Sequence, residues 1–192
     1  MGLIKKILKE SFPVLFLCTV GGVLAGVILQ DMEMDLKETP GILILLPAIL
    51  GMRGNISGAL GSRLASALHL GLISPELRWN KPLSDNFWAS IILNVVMSFL
   101  LGIIAFITCV ATGYEGASVI QLTAISLIAG TLAGLILTFL SIFLALVTFS
   151  RGLDPDNVLM PSLSTVGDII TILCLLVAAR IVRYLVQLGI NL

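Results

Sequence analysis

Long runs of apolar residues separated by short polar segments dominate the pattern along the chain. Five runs are long enough to cross a bilayer core about 30 Å thick as α-helices. They cover residues 12–29, 41–70, 87–111, 118–149 and 157–180. The pattern therefore predicts an all-α integral membrane protein of five transmembrane helices. The longest polar connection, 71–86, is only a loop, so we expect one transmembrane domain over 1–192 and no soluble regulatory domain.

Composition agrees with a membrane protein and excludes other classes. Hydrophobic residues make up 58% of the chain and charged residues 11%, whereas soluble domains carry about 25% charged residues. No basic stretch is long enough to follow a nucleic-acid backbone, so we expect no nucleic-acid partner. Cys18, Cys109 and Cys174 lie far apart inside apolar runs. This spacing indicates packing residues rather than a disulfide framework or a thiolate metal site.

Basic residues near the ends of the spans predict the orientation. They precede span one and lie between spans two and three and spans four and five: Lys5, Lys6, Lys9, Arg78, Lys81 and Arg151. The positive-inside rule makes that side cytoplasmic. The opposite loops are mostly acidic, although Arg180 and Arg183 fall on that side and argue mildly against the assignment. We expect a multi-pass protein of the cell membrane with a cytoplasmic N-terminus and an external C-terminus.

Asp168 is the only ionisable residue between Asn157 and Ala179 in the last span. A carboxylate in the hydrocarbon core costs several kcal/mol unless it lines water, binds a cation or forms an ion pair, so it is a candidate functional residue. A helix that starts near Asn157 would place it roughly 16 Å deep, near the middle of the core. If Asp168 binds a cation, Asp168→Asn should leave stability unharmed; if it pairs with a cationic side chain, the same change should destabilise the fold.

The second span, PGILILLPAILGMRGNISGALGSRLASALHLG, is the least ordinary. Gly51, Gly54, Gly58 and Gly61 recur at steps of three and four, so they share a helix face that another backbone can approach closely. Packing is the simpler interpretation, because GxxxG steps also occur in the first and fourth spans. Alternatively, Pro47 together with Gly51 and Gly54 would break the helix and free carbonyl oxygens, which could face only protein or a water-filled cavity.

Polar side chains also follow the second span. Asn55, Ser62 and Ser66 lie at steps of seven and four, hence roughly on one face. Such a stripe suits a water-filled path, and interhelical hydrogen bonding is the competing explanation. Arg53 and Arg63 are expected near the cytoplasmic half or paired with acids, because a pore for cations would not be lined with guanidinium groups.

The segment RGLDPDN precedes the fifth span, with Asp154 and Asp156 on either side of Pro155 and Asn157 after them. Helix capping explains one or two of these residues, since Asp or Asn caps an N-terminus and Pro opens a first turn. Two carboxylates and an amide within four positions are also a candidate cytoplasmic cation relay toward Asp168. Both interpretations stay open.

Two motifs in this order, PAILGMRGNISGALGSRL and DPDNVLMPSLSTVGDIITILCLL, resemble the membrane domain of the MgtE divalent-cation transporters, in particular the branch with the solute carrier family 41 proteins. The resemblance covers all five spans. MgtE is a homodimer with its ion path between subunits, and solute carrier 41 members carry two such units in one chain. The resemblance thus implies a parallel homodimer with the pore at the subunit interface. The magnesium-sensing domains of MgtE are missing here, so gating through them is not implied.

The resemblance also assigns residues to the ion path. The pore acid of the family falls on Asp168, and pore-lining positions one and two turns earlier fall on Ser164 and Met160. The remaining motif positions fall on Gly54, Asn55, Asp154, Pro155, Asp156 and Asn157. We expect a metal site from these residues, no cofactor, and no catalytic residue.

The expected function is a transporter or channel for divalent cations, with Mg²⁺ as the transported ion. Two Asp168 carboxylates facing each other across a two-fold axis would repel, and a divalent cation relieves that repulsion. Mg²⁺ often binds through one or two carboxylates while keeping its waters, and the lack of His and Cys clusters argues against zinc or copper.

Other functions fit less well. One buried Asp and one interfacial His69 are too sparse for an enzyme site. The alternatives are a proton- or sodium-coupled transporter of another small solute and a partner subunit of a membrane complex, in which Asp168 would pair with an arginine of another protein.

Overall fold

The computed structural model describes residues 2–33, 37, 39, 41–74, 79–113, 118–152 and 155–189, except for the side chains of residues 2, 3, 6, 7, 10 and 155–158. Five long helices fill these ranges: α1 (Gly2–Asp31), α2 (Ile42–His69), α3 (Lys81–Thr112), α4 (Val119–Ser150) and α5 (Pro155–Gln187). Each contains a segment long and apolar enough to cross a membrane. The prediction of an all-α protein with five transmembrane helices is confirmed.

Three helices extend well beyond the apolar runs that predicted them. Helix α1 begins at Gly2 rather than at residue 12. Helix α3 begins at Lys81 rather than at residue 87, because Asn80 Oδ1 accepts a hydrogen bond from Leu83 N at 3.0 Å and so caps the helix. Helix α5 continues to Gln187 rather than ending at 180. An apolar run marks only the part of a helix in hydrocarbon, and the helix continues through the polar headgroup region.

Helix α2 is unbroken from Ile42 to His69, with Pro47 inside it. The alternative in which Pro47 and the glycines break this helix is therefore wrong. Pro47 has no N–H group, so the carbonyl that loses its hydrogen bond is that of Leu43, in the first turn of the helix. A first-turn position accommodates this loss without interrupting the helix.

The helices form one bundle in which α4 is central and packs against α2, α3 and α5. Helix α2 also packs against α3 and α5, and α1 packs along α5. One link between α1 and α5 is polar, because Cys18 Sγ donates a hydrogen bond to the carbonyl oxygen of Pro161 at 3.2 Å. Cys109 and Cys174 are buried and, like Cys18, carry free thiols, in agreement with packing roles.

Small residues bring α3 and α4 into close contact. A Cβ atom added to Gly134 would overlap Asn94, and one added to Gly130 would overlap Ser98. On α3, a Cβ atom added to Gly102 would overlap the backbone of Thr123. Small residues at a helix interface allow this kind of backbone approach, so the GxxxG step of the fourth span is a packing motif.

The interior of the bundle is apolar at both ends and polar in its middle. One apolar cluster contains buried residues of α2 between Ile42 and Met52 and of α5 between 172 and 182. The other contains buried residues of α2 between Leu60 and Leu68 and of α5 between 159 and 163. The buried polar residues between these two clusters are Arg53, Ser57, Ser90, Asn94, Ser98, Thr138, Ser141 and Thr171. Polar side chains thus collect at the depth where the surrounding bilayer is least polar.

Candidate functional site

Asp168 forms an ion pair with Arg53 of the same chain. Arg53 Nη2 donates a hydrogen bond to Asp168 Oδ1. The Arg53 side chain on α2 is only 2% exposed, whereas that of Asp168 on α5 is 39% exposed. At a rise of about 1.5 Å per residue, Arg53 lies roughly 17 Å from the start of α2 and Asp168 roughly 20 Å from the start of α5. The pair therefore lies deep within both spans.

The backbone of α5 accepts hydrogen bonds from the other terminal nitrogen of the guanidinium. Arg53 Nη1 donates to the carbonyl oxygens of Leu163 at 3.3 Å and Ser164 at 3.4 Å. Gly167 makes room for the group, because a Cβ atom at this position would overlap Nη1. Arg53 Nε is buried and has no hydrogen-bond partner among the described residues. The guanidinium is thus seated on one turn of α5.

A cavity of about 230 Å³ lies beside this pair, between α2 and α5. Its lining residues are Arg53, Gly54, Ser57, Gly58, Met160, Leu163 and Ser164. Three residues that the sequence predicted for the ion path, Gly54, Met160 and Ser164, therefore come together here. Both Met160 and Ser164 are exposed at its edge. The cavity is narrow at Gly58, where a Cβ atom would come within 3.2 Å of Met160 Cε.

The exposed side of α2 carries only small and polar residues between Leu43 and Leu70. We call it the small-polar face; it consists of Pro47, Gly51, Gly54, Asn55, Ala59, Ser62, Arg63, Ser66 and His69. Asn55 belongs to this face and does not line the cavity. Arg63 Nε donates to Asn86 Oδ1 on α3 at 2.8 Å, so Arg63 pairs with an amide rather than an acid. The predicted stripe of Asn55, Ser62 and Ser66 does share one face of the helix.

The predicted cation relay lies largely outside what the structure describes. Asp154 is outside the described residues, and the side chains of Asp156 and Asn157 are too. Pro155 is the first residue of α5, which agrees with a Pro in an opening turn. Pro161 lies inside the helix and has no N–H group, so the carbonyl of Asn157 lacks its intrahelical donor. Ion binding by the relay remains a prediction.

Among the described residues of the acidic loop after α1, one carboxylate and one ammonium group offset each other. Glu33 forms an exposed ion pair with Lys37 at 2.6 Å. The hydrogen bond and the charge of this ammonium group lower the pKa of Glu33. Glu33 therefore stays ionised but is largely neutralised by its neighbour. Within the described part of the chain, no group of three or more His, Cys, Asp and Glu side chains could hold a metal ion.

The structure brings the predicted residues Gly54, Met160, Ser164 and Asp168 close together, and their binding of an ion remains a prediction. Two neighbours of Asp168 were not predicted as such. Arg53 was expected near the cytoplasmic half or paired with an acid; its partner is the intramembrane Asp168, and it lines the cavity, where a guanidinium group was not expected. Gly167 was not recognised at all. The signal available in the sequence was a glycine directly before the only acid of the span, at a position where a close approach by another group favours the absence of a Cβ atom.

Comparisons with known proteins agree with these features. The family model MgtE, described as a divalent cation transporter, matches residues 46–178. Solute carrier family 41 member 2 of Gallus gallus is 29% identical over 186 residues, which are 88% of this chain and 32% of that protein. The same member of Homo sapiens is 30% identical over 162 residues, with 79% and 27% covered. Member 3 of Rattus norvegicus is 26% identical over 172 residues, with 85% and 36% covered. The chain spans about a third of the length of these relatives.

Proposed function

This chain belongs to the MgtE family of divalent cation transporters, and we propose that it transports divalent cations, with Mg²⁺ as the main substrate, through a path between two subunits. The observation that carries the proposal is the surface made by the small-polar face of α2 together with the exposed Met160 and Ser164 and the half-buried Asp168 of α5. These residues lie at membrane depth on the outside of a single subunit.

A surface of this kind is poorly suited to contact lipid. Polar and ionisable groups at the bilayer centre are costly and normally face protein or a water-filled cavity. A second copy of the chain, oriented in parallel, would cover the small-polar face and enclose the path. A two-fold axis would also bring two Asp168 side chains toward each other. The homodimer is thus the simplest arrangement that removes this surface from lipid.

Asp168 is the proposed intramembrane cation site. Arg53 contacts Oδ1 from the buried side, and the exposed part of the carboxylate faces the proposed path. Mg²⁺ retains several waters and is commonly bound through one or two carboxylates. Ser164, one turn before Asp168, and Asn55 on α2 are the groups proposed to hold those waters. Magnesium therefore fits a site with few direct protein ligands.

The proposed path continues from Asp168 toward the N-terminal end of α5. Ser164 and Met160 follow at successive turns of the helix, and Asp154, Asp156 and Asn157 are proposed to receive the ion at the helix end. With the orientation predicted from basic residues, this end is cytoplasmic and the C-terminus lies outside the cell membrane. The cavity beside Gly54 and Ser164 would then belong to the cytoplasmic half of the path.

Flux through purified protein in liposomes tests the transport proposal. We expect saturable Mg²⁺ uptake, reported by a dye inside the vesicles, and none in protein-free vesicles. The matched control is the double variant Arg53→Met/Asp168→Asn, which removes both charges together and so strands neither. This variant should fold and lose the flux. Absence of Mg²⁺ uptake by the folded wild-type protein, or undiminished uptake by the double variant, contradicts the proposal.

Cross-linking tests the position of the path between subunits. In a variant whose three native cysteines are replaced, we expect Ser164→Cys to form an intermolecular disulfide on oxidation and to block flux. The control is Val96→Cys on the exposed side of α3, which should remain uncross-linked. Equal cross-linking at both positions would speak against an interface at the small-polar face.

A further inference from the structure

The guanidinium of Arg53 is fixed to the same turn of α5 that carries the proposed cation site. One arm binds Asp168 Oδ1, and the other contacts two backbone carbonyls of that turn at 3.3 and 3.4 Å. Gly167 lies directly against it. Arg53 also lines the 230 Å³ cavity on the proposed path. A cation that reaches Asp168 from this cavity therefore meets a resident positive charge on the same carboxylate.

We infer that Arg53 is a specificity-determining residue: it is a built-in counter-cation that a permeating ion must displace from Asp168, so that divalent cations are admitted and monovalent cations are excluded. This inference rests on the proposed function and names the basis of its selectivity. The charge of Arg53 also neutralises Asp168 when no metal ion is bound. Two Asp168 side chains in a dimer are then two neutral ion pairs, and no metal is needed to hold the empty site together.

Selectivity for divalent over monovalent cations follows because every ion must supply the same energy to separate Arg53 from Asp168. Separating Arg53 from Asp168 costs the same whichever ion replaces it. At a given distance, a divalent ion gains twice the Coulomb energy of a monovalent ion from the carboxylate. A displacement energy between these two gains admits Mg²⁺ and rejects Na⁺ or K⁺. A bare carboxylate has no such threshold and binds both kinds of ion.

The contacts of Arg53 would allow its guanidinium to leave Asp168 while it remains bound to α5. Its Nε atom is buried without a hydrogen-bond partner among the described residues, although buried polar atoms normally have at least one partner. The carbonyls of Leu163 and Ser164 can keep Nη1 while Nη2 leaves the carboxylate. In the proposed displaced state, the guanidinium stays on the same turn of α5 through Nη1.

Arg53→Met and Arg53→Lys in liposomes test the inference. Met is similar in length and removes the charge, so we expect the Mg²⁺ concentration for half-maximal flux to fall about tenfold, equal to about 1.4 kcal/mol of binding. We also expect Na⁺ uptake to appear, whereas the inference predicts none in the wild type. Lys keeps the charge without the planar fork, and it should retain most of the discrimination against Na⁺. The melting temperature of Arg53→Met without metal should fall and should rise steeply with added Mg²⁺.

Gly167→Ala tests the same inference without removing the charge. The added Cβ atom would push Nη1 from its seat, so we expect the same direction of change in Mg²⁺ affinity and Na⁺ uptake as for Arg53→Met. Gly22→Ala is the matched control, because a Cβ atom there meets nothing within 4 Å, and it should behave as wild type. This variant pair also covers the case in which Arg53→Met does not fold.

The outcomes separate this inference from the function on which it rests. If the wild type carries no Mg²⁺, the proposed function itself is wrong. If the wild type carries Mg²⁺ but Arg53→Met and Gly167→Ala reduce only the maximal rate, with unchanged half-maximal concentration and no Na⁺ uptake, Arg53 is merely structural and the inference is overturned.

Discussion

Helices α2 and α3 both cross the membrane and lie side by side, yet their exposed surfaces have opposite character. Between Trp88 and Val110, the exposed large residues of α3 are all apolar: Trp88, Ile92, Leu93, Val95, Val96, Met97, Phe99, Leu100, Ile104, Ile107 and Val110. Helix α2 exposes no large apolar side chain between Leu43 and Leu70. The surface of α3 suits lipid tails, whereas that of α2 suits a protein partner and water.

The difference shows that the average hydrophobicity of a span does not say what the span contacts. Both segments pass as membrane helices by length and composition. The two faces of α2 differ, because its large apolar residues point into the two core clusters and leave small and polar ones outside. We therefore propose that transport depends on the face that lipid would not tolerate, and the variants described next test this contrast.

The largest effect is expected from breaking the Arg53–Asp168 pair on one side. Asp168→Asn strands a guanidinium that is 2% exposed, so we expect a loss of about 3 kcal/mol in the free energy of unfolding as well as loss of flux. The sequence alone allowed the charge to be removed without harm, and the pairing with Arg53 changes that expectation. The double variant Arg53→Met/Asp168→Asn should recover most of the stability but none of the flux.

Thermal melting in detergent, followed with and without Mg²⁺, measures this prediction. A single Asp168→Asn variant that is as stable as wild type would show that Asp168 and Arg53 contribute independently. A double variant less stable than the single one would show that the pair does more than compensate charge.

An intermediate effect on dimerisation is expected from placing a large side chain on the exposed face of α2, and none from placing it on that of α3. Ser62→Trp places a large ring on the small-polar face, where another subunit is proposed to approach, and should weaken dimerisation at least about tenfold, or ~1.4 kcal/mol. Ile92→Trp makes a similar addition on α3, where Ile92 is 58% exposed, and should leave dimerisation unchanged. The dimer fraction in nanodiscs or by dilution in lipid measures both. Weakening by Ile92→Trp alone would place the interface on α3.

The smallest effect is expected from a single polar group. Asn55→Leu should lower Mg²⁺ flux several-fold, while the free energy of unfolding changes by no more than about 0.5 kcal/mol, as for other exposed positions. Thr108→Leu is the control on α3, because Thr108 is partly exposed and, among the described residues, its hydroxyl donates within its own helix, to the carbonyl of Ile104 at 2.8 Å. It should alter neither quantity. A fall in melting temperature with unchanged flux would make Asn55 an interhelical packing residue.

The sequence by itself determined the five membrane helices, the shared face of Asn55, Ser62 and Ser66, and the presence of an intramembrane carboxylate at Asp168. These properties are local: the length of an apolar run, the helical period and the cost of a carboxylate in hydrocarbon can all be read from neighbouring residues. The helix ends were predicted less accurately, because Asn80, which caps α3, lies outside the apolar run of that helix.

Only the tertiary structure decided which acid Arg53 meets, how Gly167 accommodates it, and how Gly134 packs on Asn94. Arg53 and Asp168 are 115 positions apart in the sequence. Their contact depends on how far each helix is rotated about its own axis and on which helices are neighbours. Those two quantities follow from the packing of all five helices together, so no local pattern specifies them, and they convert an isolated intramembrane charge into a seated ion pair.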